Sequence, residues 1–235
     1  MIRRLMRIIS SFDHSRPAMT VAVLAKRADI PLATTHRLVN ELVDEGVLRR
    51  GPGGEIRLGL RLWELASRSS EVLSLRQAAM PFMEDVQAVI RQHTQLAVLQ
   101  DDEVLFVERL SSRESVVNEA KVAGRLPIHV SSSGMVLLAH SPTQVQEAYL
   151  KRNAETVDAG QLRRDLADVR QSGYAALDGY VVPDTAGIAV PVLGQRQEVI
   201  AALGVVVAAG EQNIPATVPA LMTAARGIAR AVARQ

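Results

Sequence analysis

The chain has 235 residues, of which 48% are hydrophobic and 22% charged, so it can bury a core and is no disordered solvating segment. Zero cysteines exclude disulfides, thiolate zinc sites, iron–sulfur ligation and cysteine nucleophiles. The formal charge of +2 is unevenly spread: residues 1–61 hold 11 Lys and Arg against 6 Asp and Glu, a net +5, while residues 62–235 hold 16 against 19, a net −3.

A small basic segment joined to a larger, slightly acidic one suits a nucleic-acid-reading module attached to something else, although solvated surface would give the same count. The length favours two domains over one. The longest uncharged apolar stretch, Val199 to Gly210, covers 12 residues, too few for a membrane span of about 20. Basic residues at the N-terminus are followed by no apolar segment or small-residue cleavage site, so no secretory signal and a cytoplasmic location are expected.

Leu5, Ile8, Ile9 and Phe12 recur at helical spacing, with Arg3, Arg4 and Arg7 on other faces, which predicts an amphipathic first helix. Residues 13–17 break it, since proline disfavours helix at the residue before it. A second helix is expected from the N-cap Thr20, with Val21, Leu24, Ala25 and Ala28 on one side. After the interruption Asp29-Ile30-Pro31, a third helix runs from Leu32 to Val43 with Leu38, Val39 and Leu42 inward. Two short helices joined by a tight turn make a helix-turn-helix. The residues at the start of its second helix, Ala33, Thr34, Thr35, His36, Arg37 and Asn40, are the ones that would meet base edges in a major groove. The pattern alone equally suits the exposed face of a surface helix.

Gly46 is a natural helix stop. Behind it, Val47 to Arg50 and Glu55 to Gly59 read as two strands around the turn Gly51-Pro52-Gly53-Gly54. A hairpin directly behind such a helix is a wing, and Arg49, Arg50 and Arg57 on it would lie near phosphates. Leu60 to Ser70 reads as a connecting helix, and its Trp63 as an anchor between subunits or domains. Leu75 to Gln92 reads as a further helix kinked or restarted at Pro81, followed by strands at Leu96 to Gln100 and Val104 to Arg109.

These residues resemble the IclR family of bacterial transcription regulators over nearly the whole chain. The N-terminal resemblance rests on Met19-Thr20, Leu24-Ala25, Pro31 to Thr34, Arg37-Leu38, Leu42 and Ile56-Arg57-Leu58-Gly59. The C-terminal resemblance rests on residues 124–129, Ser131 to Gly134 with Leu137-Leu138-Ala139, Gly173-Tyr174-Ala175 and residues 188–192. It implies a mixed α/β (α+β) chain: a winged helix-turn-helix over 1–60, a linker helix over 61–73 and a GAF-like effector-binding domain over 74–235. It also implies double-stranded operator DNA and a small-molecule effector as partners, assembly into dimers or dimer-paired tetramers, and neither cofactor, metal nor catalytic residue.

For the effector, the resemblance points to the Ser132-Ser133-Gly134 segment, whose unpaired helix-start amides favour an anion. It also points to Ser115, Asn118, Leu126, Leu177, Gly187, Gly204 and Val206. His129, Asp178 and Tyr180 are further candidates for polar contact. The chain departs from the family at Met135, where lysine is frequent, at Gly179-Tyr180, where acidic residues are frequent, and at Gly187, Gly204 and Val206, often polar positions. The expected pocket is therefore roomy and apolar, and the expected effector is an aromatic or hydrophobic acid acting on a repressor. An activator of the same family is the alternative. A hydrolase built on Ser131 to Ser133, His129, His140 and Asp178 is less favoured, since no nucleophile elbow, zinc helix or nucleotide loop occurs. His129 lies between Ile128 and Val130, an apolar setting that suits a structural imidazole better than a base.

Overall fold

The computed structural model describes every residue except His14, Arg113, Glu114, Val117, Glu119 and Gln235, and the side chain of Ser69. His14, within the expected break at 13–17, therefore lies outside the described residues. The chain divides into two units, Met1–Leu73 and Ser74–Gln235.

In the first unit, α1 (Ile2–Ile9), α2 (Val21–Ala28) and α3 (Leu32–Asp44) enclose a core of Ile8, Leu24, Leu38, Val39, Leu42, Leu48 and Ile56. Thr20 caps α2 as expected, its hydroxyl accepting from Val23 N at 3.4 Å. The turn between α2 and α3 is tight because Asp29 takes a left-handed φ of 49°, a conformation Asp tolerates better than most residues. Strands β2 (Leu48–Arg50) and β3 (Ile56–Leu58) form the expected hairpin. A short β1 (Ala18–Met19), not anticipated from the sequence, pairs with β3 to give a three-stranded sheet of order β1-β3-β2. Helix α4 (Leu60–Ser69) closes the unit.

The second unit is built on a six-stranded antiparallel sheet of order β6-β5-β4-β9-β8-β7. Its strands are β4 (His93–Gln100), β5 (Glu103–Leu110), β6 (Arg125–Pro127), β7 (Ala175–Asp178), β8 (Thr185–Leu193) and β9 (Val199–Ala208). Strand β4 begins three residues earlier than the alternation suggested, because His93 and Thr94 pair with Val206 and Val205. One sheet face packs Leu96, Ile188, Val190, Leu203 and Val205 against α5 (Glu71–Ile90) and α9 (Ile214–Val232). The other packs Ala97, Phe106, Ala189 and Ala202 against α6 (Ser132–Ala139), α7 (Thr143–Arg152) and α8 (Ala159–Ser172). Alternation along each strand assigns the two sets to opposite faces.

Helix α5 runs through Pro81 without a break, against the expected kink or restart. Pro81 and Gln77 are both exposed, so the carbonyl that Pro81 deprives of a donor, four residues back, belongs to a residue on the wet side of the helix. No helix among the described residues is long and apolar enough to cross a membrane.

Candidate functional site

In the first unit, α3 shows Ala33, His36, Arg37 and Asn40 to solvent, with Thr34 half-buried. Thr35 is a correction: it is fully buried, and its hydroxyl donates to the carbonyls of Ile30 (3.3 Å) and Pro31 (3.2 Å). A threonine whose hydroxyl is satisfied within its own turn can face a core, and this one braces the α2–α3 turn rather than an outside partner. Arg37 pairs with Glu41 one turn on, at 2.7 Å. On the hairpin, Arg49 and Arg50 are exposed and Arg57 is half-buried beside Glu55, at 3.3 Å. Arg50 Nη2 donates to Asn40 Oδ1 at 2.7 Å, which ties the hairpin to α3 and leaves the Asn40 amide nitrogen as its outward group. Thr20, at the start of α2, is exposed. The exposed surfaces of α3 and the hairpin thus present cations and short polar groups together, the arrangement that docks a helix in a groove with a wing on the backbone.

The second unit holds a cavity of about 60 Å³ on the α6 side of its sheet. Its floor is the sheet itself: Gln95, Phe106, Gly187, Gly204 and Val206. One wall is the start of α6, Ser131 to Ser133. Others come from Asn118, Ala120 and Leu126 on one side, and from Leu177, Tyr180, Val182 and Thr185 on the other. Among the described residues, Val130, Val181 and Val205 complete the lining, and none of the lining residues is Asp, Glu, Lys, Arg or His.

Ser131 is the N-cap of α6; its hydroxyl accepts from Gly134 N at 3.3 Å. The amides of Ser132 and Ser133 therefore remain as the unpaired donors at the positive end of the helix. Two further polar atoms lining the same cavity are buried and without a partner: Gln95 Oε1 and Asn118 Nδ2. Arg109, on β5, donates from Nη1 to the carbonyls of Asn118 (3.2 Å) and Ala120 (2.6 Å). That cation is spent on holding the 118–120 segment and does not line the cavity.

Of the sequence-derived effector residues, the fold brings together Asn118, Leu126, Ser132, Ser133, Leu177, Tyr180, Gly187, Gly204 and Val206. Four others do not line the cavity. Ser115 turns its hydroxyl to Ser112, within 2.9 Å of both its amide and its hydroxyl. Gly134 meets the 128–130 turn so closely that a Cβ would lie 2.3 Å from the Ile128 carbonyl oxygen, so its role is packing. Asp178 accepts from Gln212 Nε2 at 2.9 Å. The Nδ1 of His129 lies 2.8 Å from the Tyr149 hydroxyl, and His129 lines a separate outer groove with Asp158, Asp165 and Asp168.

The expected roominess at the glycines is also corrected. A Cβ on Gly187 would lie 2.8 Å from Ser132 Oγ, and one on Gly204 3.4 Å from Ser133 Oγ. Ser132 takes the space that Gly187 leaves, whereas at Gly204 the Ile188 carbonyl oxygen (2.9 Å) and Ala189 Cβ (3.2 Å) stand closer still. Sequence reasoning missed Gln95, Phe106 and Thr185; alternation along β4 places Gln95 inward, but nothing local marks it as part of a site. Among the described residues no cluster of metal-ligating side chains occurs.

Two family models match the chain: the IclR helix-turn-helix domain over residues 1–52 and the bacterial transcriptional regulator IclR C-terminal domain over residues 68–234. The chain is 24% identical to the HTH-type transcriptional regulator KipR of Bacillus subtilis, covering 85% of this chain and 82% of KipR. It is 23% identical to the transcriptional repressor IclR of Escherichia coli, covering 87% of this chain and 78% of that protein. Among solved structures, an IclR homolog from Microbacterium hydrocarbonoxydans complexed with 4-hydroxybenzoate superposes with a TM-score of 0.92 at 45% identity, covering 100% of this chain and 99% of that one.

Proposed function

Because the chain belongs to the IclR family of bacterial transcriptional regulators, which bind operator DNA and small-molecule effectors and are not enzymes, we propose that it is a repressor whose operator affinity is set by an aromatic carboxylic acid. The observation that carries the effector class is the cavity: apolar and aromatic walls, no charged side chain among the described residues, and two unpaired helix-start amides beside serine hydroxyls. Amides at a helix start hold an anion without a counter-cation, and Phe106, Leu126 and Leu177 offer apolar surface to a ring. The 4-hydroxybenzoate complex of the Microbacterium protein supports the same class, and the Escherichia coli relative supports the repressor role.

A cavity of about 60 Å³ is far below the 300–1,000 Å³ typical of ligand sites. An aromatic acid therefore enters only by displacing a wall, and a ligand that binds one arrangement of the walls better than another shifts the population between them. This is how occupancy would change the DNA-reading unit. On the DNA side, Arg37, His36 and Asn40 would meet base edges while Arg49, Arg50 and Arg57 meet phosphates. We assign operator binding to a homodimer, whose paired units read two half-sites about one helical turn or a multiple apart. Exposed Ile2, Leu60 and Trp63, 67–75% accessible, supply apolar surface for a second copy.

The test is a titration of purified protein against duplex DNA from upstream of its own gene, with and without benzoate-class acids. Binding that an acid alters at least several-fold is expected. No binding to that DNA under either condition overturns the regulatory reading, and binding indifferent to every such acid overturns the effector class.

A further inference from the structure

Gln95 and Asn118 leave one hydrogen-bond acceptor and one donor unanswered in the same cavity. Gln95 is 5% exposed and its Oε1 has no partner. Asn118 Oδ1 accepts from Ala120 N at 2.9 Å, which fixes the amide's orientation and leaves Nδ2 as the buried, unpaired donor. A buried polar group without a partner is costly and uncommon in a native protein, so two in one cavity, of opposite sense, point to a ligand group that answers both. A hydroxyl does so: it accepts one hydrogen bond and donates another.

The sheet register gives the direction. Gln95 sits opposite Gly204 on β9 and opposite Arg109 on β5, so all three face the α6 side. The start of α6 lies over Gly187 and Gly204, on β8 and β9. Arg109 holds Asn118 on the β5 side. The strand β9 beneath the helix start and the strand β5 that carries Arg109 are thus two strand spacings apart, roughly 10 Å, with Gln95 on the strand between them. That is the reach of a benzene ring with a carboxylate at one end, a substituent at the other and a hydrogen bond at each.

Resting on the aromatic-acid reading above, we propose that Gln95 and Asn118 are specificity-determining residues that select an effector bearing a hydroxyl at the end of the ring remote from its carboxylate. Gln95 accepts the hydroxyl proton and Asn118 donates to the hydroxyl oxygen. A ligand without that hydroxyl does not answer either group and binds more weakly for that reason.

The experiment compares 4-hydroxybenzoate, 4-fluorobenzoate and benzoate by calorimetry on the full chain. Fluorine is close to a hydroxyl in size and has no proton to give. Wild-type protein is expected to bind 4-hydroxybenzoate at least about tenfold more tightly than the other two, the scale of leaving a buried group unpaired. Gln95→Met, which keeps the volume and removes the unanswered acceptor, is expected to melt no lower than wild type and to compress the preference to about threefold or less. Wild-type affinities within about threefold of one another overturn the proposal while leaving the aromatic-acid reading standing. If none of the three acids binds, that reading falls and the proposal with it. A folded Gln95→Met variant with an undiminished preference removes Gln95 from the assignment.

Discussion

Gly187 and Ser132 compete for one space: a Cβ on the glycine would lie 2.8 Å from the serine Oγ. A serine hydroxyl swings to another rotamer at little cost, so Gly187→Ala is expected to fold with a melting temperature close to that of wild type while displacing the Ser132 hydroxyl from the cavity wall. Gly204→Ala differs, because its Cβ would lie 2.9 Å from the Ile188 carbonyl oxygen, which is backbone held in the β8–β9 ladder. Overpacking against a rigid obstacle costs about 1–3 kcal/mol, a fall of several degrees for a chain of this size. Thermal melts of the two variants, with effector titrations on Gly187→Ala, check the contrast; equal destabilisation would count against it.

Arg37 and Glu41 share the exposed face of α3 at 2.7 Å. An exposed pair of this kind contributes little to stability, so removing either side chain should leave the fold intact and change only what the helix offers to DNA. Arg37→Ala is expected to weaken operator binding about tenfold or more, on the scale of 1–3 kcal/mol for one lost base contact. Glu41→Gln is expected to strengthen binding modestly by removing an anion near the groove. Mobility-shift titrations on both variants decide it, and unchanged affinity for Arg37→Ala would remove that residue from the interface.

Trp63 is 67% exposed on α4 and Leu60 74%, a large apolar presence for one short helix. If a second copy covers it, Trp63→Lys is expected to shift the protein toward monomer, measured by sedimentation, and to lose most of its operator affinity, since single half-sites bind weakly. A Trp63→Lys protein with unchanged mass and unchanged DNA binding would place the subunit contact elsewhere.

His93 is buried at the start of β4, with Nε2 donating to the Val116 carbonyl at 2.5 Å and Nδ1 2.8 Å from the Ser111 hydroxyl. Burial holds the imidazole below its ordinary 6.5; the Val116 carbonyl opposes this shift and the Arg109 charge adds to it. A histidine with a depressed folded value gives its full contribution above the unfolded value, and that contribution is lost as pH falls from there through the folded value. Thermal stability is therefore expected to decline on acidification below about pH 6.5, the ordinary value, and His93→Gln is expected to flatten that slope. An unchanged pH profile for the variant would show that the acid loss originates in other groups.

The first unit was readable because its signals are local. The Thr20 cap, the stop at Gly46, the Gly-Pro-Gly-Gly turn and the inward spacing of Leu38, Val39 and Leu42 all act within a few residues. Thr35 misled because a polar side chain on a short helix reads as exposed until its hydroxyl is seen to close on Ile30 and Pro31. In the second unit, the resemblance pointed to the α6 start and to eight of the residues that line the cavity, but the floor is made by strands distant in sequence. Gln95 enters it only through its pairing with Gly204, a relation that no window of residues contains. Gly187 suggested open space for the same reason: the serine that fills it, Ser132, stands more than fifty residues earlier in the chain.

The lining of the cavity, uncharged among the described residues, has a consequence for how the protein answers its surroundings. Neutral dipoles and hydroxyls hold an acid through short-range bonds that mobile ions scarcely screen, whereas cations on phosphates release condensed counterions and weaken steeply as electrolyte rises. Added potassium chloride should therefore loosen the grip on the double helix by orders of magnitude and leave metabolite affinity nearly untouched, so that in a salt-stressed cell the sensor still registers its signal after the reading head has let go.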